Sequence, residues 1–435
     1  MASSNRKARW LMIAAIITLP AACDTLSDPL DVEPASRIPA ALLEQPQNAK
    51  LLSDGAIGDF ECAFGSYVVN AGMIGEEFIY AQQTASRTPY DRRNTTKDDP
   101  DYSVNSCVGL GVYTPLHIAR QSNENLLALL KTWSDADVTA GPGSPNRTDL
   151  MGIAAAYAGY AYVLLGEGFC TMAISSVSID KTLIYGGEIE PDSVFKLAIA
   201  RFTEAIDYAA TAGNTSIQQM AYLGRARAKL NLGDYEGARA DAEEVPSGYL
   251  RIASASDAAP RRQNRVASQN SEINKALSVG DVYRAIGDVR VPVDTNRPSK
   301  TVSATGIVHY FQKKYLTTAT PLPLATYEEA RLIIAEAHIR AGRLVDALPI
   351  LQASRTRGGQ GLFVGTTQAE YLAELIDQRR RELFAESHHL GDVIRYDIAL
   401  TPSPGTPYHF GGNYGDQVCL PLPAAERLNN PLIGG

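Results

Sequence analysis

The chain has 435 residues, 45% of them hydrophobic, and its 48 acidic against 40 basic side chains give a net charge of -8. An acidic balance argues against nucleic acid as a partner, because phosphate binding rests on positive surface. A length above about 400 residues calls for two or three domains, or for repeats that build one body.

The chain opens with Arg6, Lys7 and Arg9 and no acid, and Leu11 to Leu19 follow as a short apolar run that stops at Pro20, Ala21 and Ala22. That is the layout of a secretory signal peptide over residues 1–22. The run is about half of the roughly 20 residues that span a bilayer, and no later segment reads as a span. The remaining chain is therefore expected to be soluble and anchored to a membrane rather than through it. Cys23 follows two alanines, where bacterial lipoprotein precursors carry the cysteine that is acylated, with Pro20 in the place usually taken by leucine. Residues 23–50, rich in proline, aspartate and small polar residues, read as a lipidated tether.

A single body is expected over residues 51–435, with loop-rich insertions at 60–112 and 247–324. Four cysteines remain at 62, 107, 170 and 419, and an exported chain can keep disulfides. Three pairings are possible. Cys62 with Cys107 is preferred, since both fall in the irregular N-terminal part that most needs a staple. No cysteine spacing suits a zinc site.

Helical pattern begins between Tyr113 and Trp133 and is ended by Gly141, Pro142, Gly143 and Pro145. Three helix pairs follow, at about residues 149–246 and 325–358. In the first, Phe195, Ile199, Phe202 and Ile206 recur at helical spacing as one apolar stripe. In the second, Gly224, Gly233, Tyr235 and Ala238 fall as in a tetratricopeptide-like hairpin, and Gly342, Leu344 and Ala347 repeat the last three in the third. Small residues there let antiparallel helices approach, and the glycine permits the turn between them. The expected fold is mostly α, a tetratricopeptide-like helical-repeat scaffold with long loop-rich insertions.

From Leu375 to Tyr396 the chain reads LIDQRRRELFAESHHLGDVIRY, and LPLPAAERLNNPL stands near its end. The first stretch resembles the signature of the SusD/RagB family of outer-membrane nutrient-binding lipoproteins. Arg379, Arg380, Glu382, Leu383, Glu386, Asp392 and Arg395 match it, whereas Gln378 replaces a usual glutamate, Ser387 a glycine and His389 an arginine. Pro421, Pro423, Glu426, Asn430 and Pro431 match the family's closing motif. The alternating charges beside an apolar stripe read as half-buried ion pairs that fix how a helix docks, rather than as ligand contacts. His388, His389 and Asp392 lack a third well-placed ligand for a metal.

The resemblance implies a SusD-like α-α superhelix, lipid-anchored at the cell outer membrane and surface-exposed. It implies a protein that captures an oligosaccharide or peptide and delivers it to a TonB-dependent, SusC-like transporter. Sugars need apolar faces with polar rims, which points to Tyr80, Tyr90, Arg92, Arg93, Asn94 and Tyr102, and further to Tyr283, Arg284, Tyr310 and Tyr315. Trp10 leaves with the leader, so aromatic stacking would lean on tyrosine. No cofactor, metal or catalytic residue is expected. The chain has no G-x-S-x-G elbow and no phosphate loop, and GGQGLFVG has the wrong spacing for a dinucleotide turn. The competing reading is a helical-repeat scaffold that binds envelope protein partners.

Overall fold

A computed structural model of the chain describes residues 40–139, 146–271, 274–295 and 306–433. The expected signal peptide, Cys23 and the tether as far as residue 39 lie outside them. The chain divides into two compact units, residues 1–45 and a body from Pro46 onward. The described part of the first is a short helix, Ala40–Leu43.

Ten helices of eight residues or more carry the described body: α1 (Ala49–Ile74), α2 (Tyr113–Thr132), α3 (Arg147–Gly168), α4 (Pro191–Ala212), α5 (Thr215–Asn231), α6 (Tyr235–Ala242), α7 (Tyr327–Arg340), α8 (Leu344–Arg357), α9 (Gln368–Glu382) and α10 (His389–Tyr396). The three pairs α3/α4, α5/α6 and α7/α8 stack in sequence order. Gly233 and Gly342 make the turns inside the second and third pairs, each with φ of 74°. The ring of Phe202 on α4 sits between Gly159 on α3 and Gly224 on α5. A Cβ would come within 2.7 Å of it at the first position and within 2.3 Å at the second. Side-chain absence is thus what brings the three helices together.

Two expectations are corrected here. Residues 49–50, expected in the tether, and 60–74, expected in a loop-rich insertion, belong to the long helix α1. From Phe60 to Ile74 it is buried on almost every side, so it shows no helical stripe, and its glycines imitate loop signals. Second, α3 is long and apolar enough to cross a membrane by composition. It is instead enclosed by α1, α2, α4 and α5, and almost all of it is buried.

The 247–324 insertion is closed at its base by strand Leu250–Ala253, antiparallel to Leu322–Thr326. Its strand Leu277–Val279 pairs with Phe78–Tyr80, just after α1. One disulfide joins Cys62 in mid-α1 to Cys107, and the other joins Cys170 after α3 to Cys419.

The signature segment is not one helix. It stops at Glu382 and restarts at His389, and between them Ala385 and Ser387 adopt φ of 56° and 76°. Side chains four apart across this break therefore do not share a face. The charges are buried and paired: Arg379 Nε donates to Asp392 at 2.8 Å, and Arg395 donates to Asp392 and to Glu336 of α7 at 2.9 Å each. Ser387 stands where the family signature has glycine, in the left-handed region that costs an L-residue about 1 kcal/mol. Ser387→Gly is expected to raise unfolding stability by about that amount. Urea denaturation would check it, and a loss of stability would show that the weak contact between Ser387 Oγ and Arg227 outweighs the strain.

Candidate functional site

The pairing of Phe78–Tyr80 with Leu277–Val279 brings together two stretches far apart in sequence. Beside it lies a cavity of about 320 Å³, walled by the C-terminus of α1, the short helices Thr88–Arg92 and Asp281–Arg284, residues 306–310 and the loop 401–414.

Three of the residues expected to bind line this cavity: Arg93, Arg284 and Tyr310. Arg93 is the C-cap of its short helix, with φ of 57°, which turns its side chain from the core of that helix into the wall. Its guanidinium lies 4.9 Å from the ring centroid of Tyr414 and donates through Nη2 to the carbonyl of Pro402. Among the described residues Nε and Nη1 have no acceptor, and no carboxylate is in ion-pair contact with the group. Burial pulls its basicity down. Arg284 covers Tyr310 in the same way, at 4.4 Å, while pairing with Asp281 at 2.6 Å.

Four other expectations fail on burial. Tyr80, Tyr90, Tyr102 and Tyr283 are 0–1% exposed, packed into the core. A tyrosine beside a turn and a tyrosine in a binding rim look alike in sequence, and here the apolar ring takes the interior. Tyr283 stacks on Phe384 of the signature, 5.1 Å between centroids, and Phe384 also meets Phe78. Tyr315 is likewise buried, its hydroxyl donating to the carbonyl of Ala385 at 3.2 Å. Arg92 donates to Asn94 at 2.9 Å, and neither lines the cavity.

The cavity's acids escaped the sequence reading, although Glu76 and Asp91 lie within the stretch that supplied the arginines. Asp91 Oδ2 accepts from the backbone N–H of Tyr80 at 2.9 Å and from the Tyr408 hydroxyl at 3.0 Å. Glu76 accepts from the backbone N–H of Thr401. His409 meets the carbonyl of Tyr80 at 2.9 Å, and burial holds its imidazole below the usual basicity. Loop 401–414 is thereby fastened to β-pairing and short helix through two carboxylates and one imidazole. Its aromatic run, YHFGGNY, was the signal that could have drawn attention to it.

The lining therefore offers fixed N–H donors on arginine, two tyrosine rings and three carboxylates. That mixture can hydrogen-bond hydroxyls that donate and accept at once, while ring edges meet C–H surface. Among the described residues no group of three His, Cys, Asp or Glu side chains could hold a metal. His388 lies 3.8 Å from Glu329, His389 lies 3.7 Å from Glu76, and Asp392 is taken by two arginines, so these three do not converge.

A family model described as the SusD family matches residues 290–418, which hold the signature and two walls of the cavity. A SusD superfamily protein from Bacteroides thetaiotaomicron VPI-5482 superposes with a TM-score of 0.66 at 13% identity, over 89% of this chain and 99% of that one. A putative sugar binding protein from Bacteroides vulgatus ATCC 8482 gives 0.63 at 18% identity, over 89% and 97%. A SusD-like carbohydrate binding protein from the same strain gives 0.57 at 16% identity, over 84% and 86%. No curated protein matches the chain in sequence.

Burial pushes the carboxyls of Asp91, Glu77 behind the cavity and Glu329 on α7 up to about 7. In an unfolded chain such groups release their protons near pH 4. Between about pH 4 and 7 these three carboxyls keep protons that an unfolded chain has released, so their contribution to stability falls as pH rises through that window. The buried imidazoles of His117, His388 and His409 work in the opposite sense below about pH 6.5. Asp91→Asn removes one of the carboxyls and leaves the imidazoles, so its thermal midpoint is expected to gain on that of the wild type as pH rises from about 5.5 to about 8. Calorimetry of both proteins at both values checks this; a difference that stays constant or shrinks with pH would contradict it.

Proposed function

The chain is a member of the SusD family, by the match over residues 290–418 and by the fold of its body, and from that premise we propose that it captures a nutrient oligosaccharide in the cavity beside Arg93. The capturing body would be a lipoprotein of the outer membrane, acylated at Cys23, that hands its ligand to a TonB-dependent, SusC-like transporter. Uptake rather than chemistry is its task in this reading.

The observation that carries the ligand assignment is Arg93: a buried guanidinium laid over Tyr414, with two N–H groups that nothing in the described protein accepts. Leaving such donors unmet costs on the order of 1–3 kcal/mol, and a ligand oxygen in the cavity would recover it. Asp91, Asp281 and Glu76 supply acceptors around it, which a polyhydroxylated ligand uses and an apolar one does not. Two of the similar structures are described as sugar or carbohydrate binding, which supports the same class. A peptide is the other nutrient that fits a pocket of donors and acceptors.

Native electrophoresis of the full-length protein in detergent, through gels containing soluble starch, xylan or galactomannan, tests the first. Retardation by at least one polysaccharide is expected, with Tyr310→Ala weakening it roughly tenfold through lost ring contact. Retention of a tryptic casein digest with no retardation by any polysaccharide would turn the assignment to peptides. Separately, Cys23→Ser is expected to move the protein from the membrane fraction to the soluble one without changing its circular dichroism. A variant that still sediments with membranes would remove the anchor from the proposal.

A further inference from the structure

The chemistry of the first cavity occurs a second time, on another part of the body. Strands Ser176–Val177 and Leu183–Ile184 form a hairpin beside α2 and α4, and between them runs a groove of about 1000 Å³. Its floor is α2, where Arg120, Gln121, Glu124 and Asn125 fall on one helical face.

Arg120 resembles Arg93, with the difference that its Nη1 donates to Gln121 Oε1 at 3.2 Å. It is 3% exposed, its guanidinium lies over a tyrosine ring, Tyr162, at 5.9 Å, and Nη2 donates to a backbone carbonyl, that of Ser175. Among the described residues Nε has no acceptor, and no carboxylate is in ion-pair contact with the group. Arg265 is buried with the same kind of carbonyl contact and an unmet Nε, so the orphaned donor alone marks no site; at Arg120 it stands in the floor of a groove among further donors and acceptors. Glu124 takes the Tyr162 hydroxyl at 3.0 Å and Arg201 Nε at 2.8 Å, both on Oε1, so that Oε2 remains as an acceptor. The lining's two arginines, 120 and 201, balance the carboxylates of Glu124 and Asp180, so the groove carries no net charge. On the opposite lip Ile179 and Ile184 are about half exposed, which on a water-facing hairpin leaves apolar surface without a partner.

We infer that this groove is a second saccharide site, which takes a remote stretch of the same neutral polysaccharide chain that the first cavity holds. The inference rests on the oligosaccharide reading given above. Paired donors and acceptors with no net charge suit neutral hydroxyls better than an anionic or cationic ligand, and the aliphatic lip meets the C–H face of a sugar. The groove has about three times the volume of the cavity, room for several units of a chain. Two sites on one body would make polymer binding tighter than either site alone, through effective concentration.

The test compares polymer with trisaccharide for whichever of starch, xylan and galactomannan retards the full-length protein, by gel retardation and calorimetry. Ala128→Trp fills the groove, and Asn125→Ala removes a donor without adding bulk. The ratio of polymer to trisaccharide affinity is expected to fall roughly tenfold or more in Ala128→Trp and about two- to fivefold in Asn125→Ala. Should the tryptophan variant not fold, the alanine variant decides. An unchanged ratio in the folded variants overturns the second site and leaves the first standing. Failure of all three polymers to retard the wild-type protein overturns both.

Discussion

The structure depends on the buried charge cluster around Asp392. Its carboxylate lies between Arg379 on α9 and Arg395 on α10, and Arg395 reaches on to Glu336 at the heart of α7. Burial opposes the charge on Asp392, but the two guanidiniums prevail and hold the carboxyl below its ordinary range. Such pairs add little net stability once desolvation is counted, yet removing one partner strands the other, so they fix geometry. What they fix is the break between α9 and α10. Phe384 in that break supports Phe78 and Tyr283, and Glu77 accepts the backbone N–H of Ala385 at 2.8 Å. Glu77 adjoins Glu76, a wall of the cavity. The segment that marks the family thus lines none of the candidate cavity and holds the floor on which it stands.

The same cluster recruits the insertion. Arg290 pairs with Asp288 at 2.7 Å and with Glu382 at 2.9 Å, and Lys314 pairs with Glu386 at 2.6 Å. Arg227 of α5 forms a two-point contact with Glu167 of α3 and donates to the Ser387 carbonyl at 3.1 Å. Helical repeats, insertion and C-terminal segment are therefore locked through one set of charged hydrogen bonds. One departure from the family signature fits its surroundings, whereas Ser387 carries strain. Gln378, in place of glutamate, accepts from Arg290 at 3.0 Å and donates to Glu374 at 2.7 Å, a dual role that a carboxylate could not fill.

Helices with one wet face were legible in the sequence, because a stripe at period 3.6 survives wherever solvent covers the other side: α4 shows Phe195, Phe202 and Ile206 buried in register. Helices enclosed all round left no such trace, which is why α1 passed for tether and loop and α3 for an ordinary repeat helix. At the cavity, the chemistry of the lining was legible by segment and not by residue. Arg93, Arg284 and Tyr310 line it, whereas Tyr80, Tyr90, Tyr102 and Tyr283 are enclosed, since the choice between rim and core is made by distant partners such as Phe384. Tyr408, His409 and Tyr414 arrive from more than 300 residues away through the Asp91 contacts, a closure that no local pattern announces.

The Cys170–Cys419 bridge joins positions 249 residues apart, and the Glu77 to Ala385 contact joins positions 308 apart. The far end of α1 and the exit from α3 thus wait for the C-terminal part of the chain before their surroundings can close. Contacts so distant in sequence form slowly and late. Were the chain exported as an extended thread, as proposed above, that delay would be useful: the cavity could not close before its last wall had been made, and the thiols of Cys170 and Cys419 would meet only after transit, where oxidation is available.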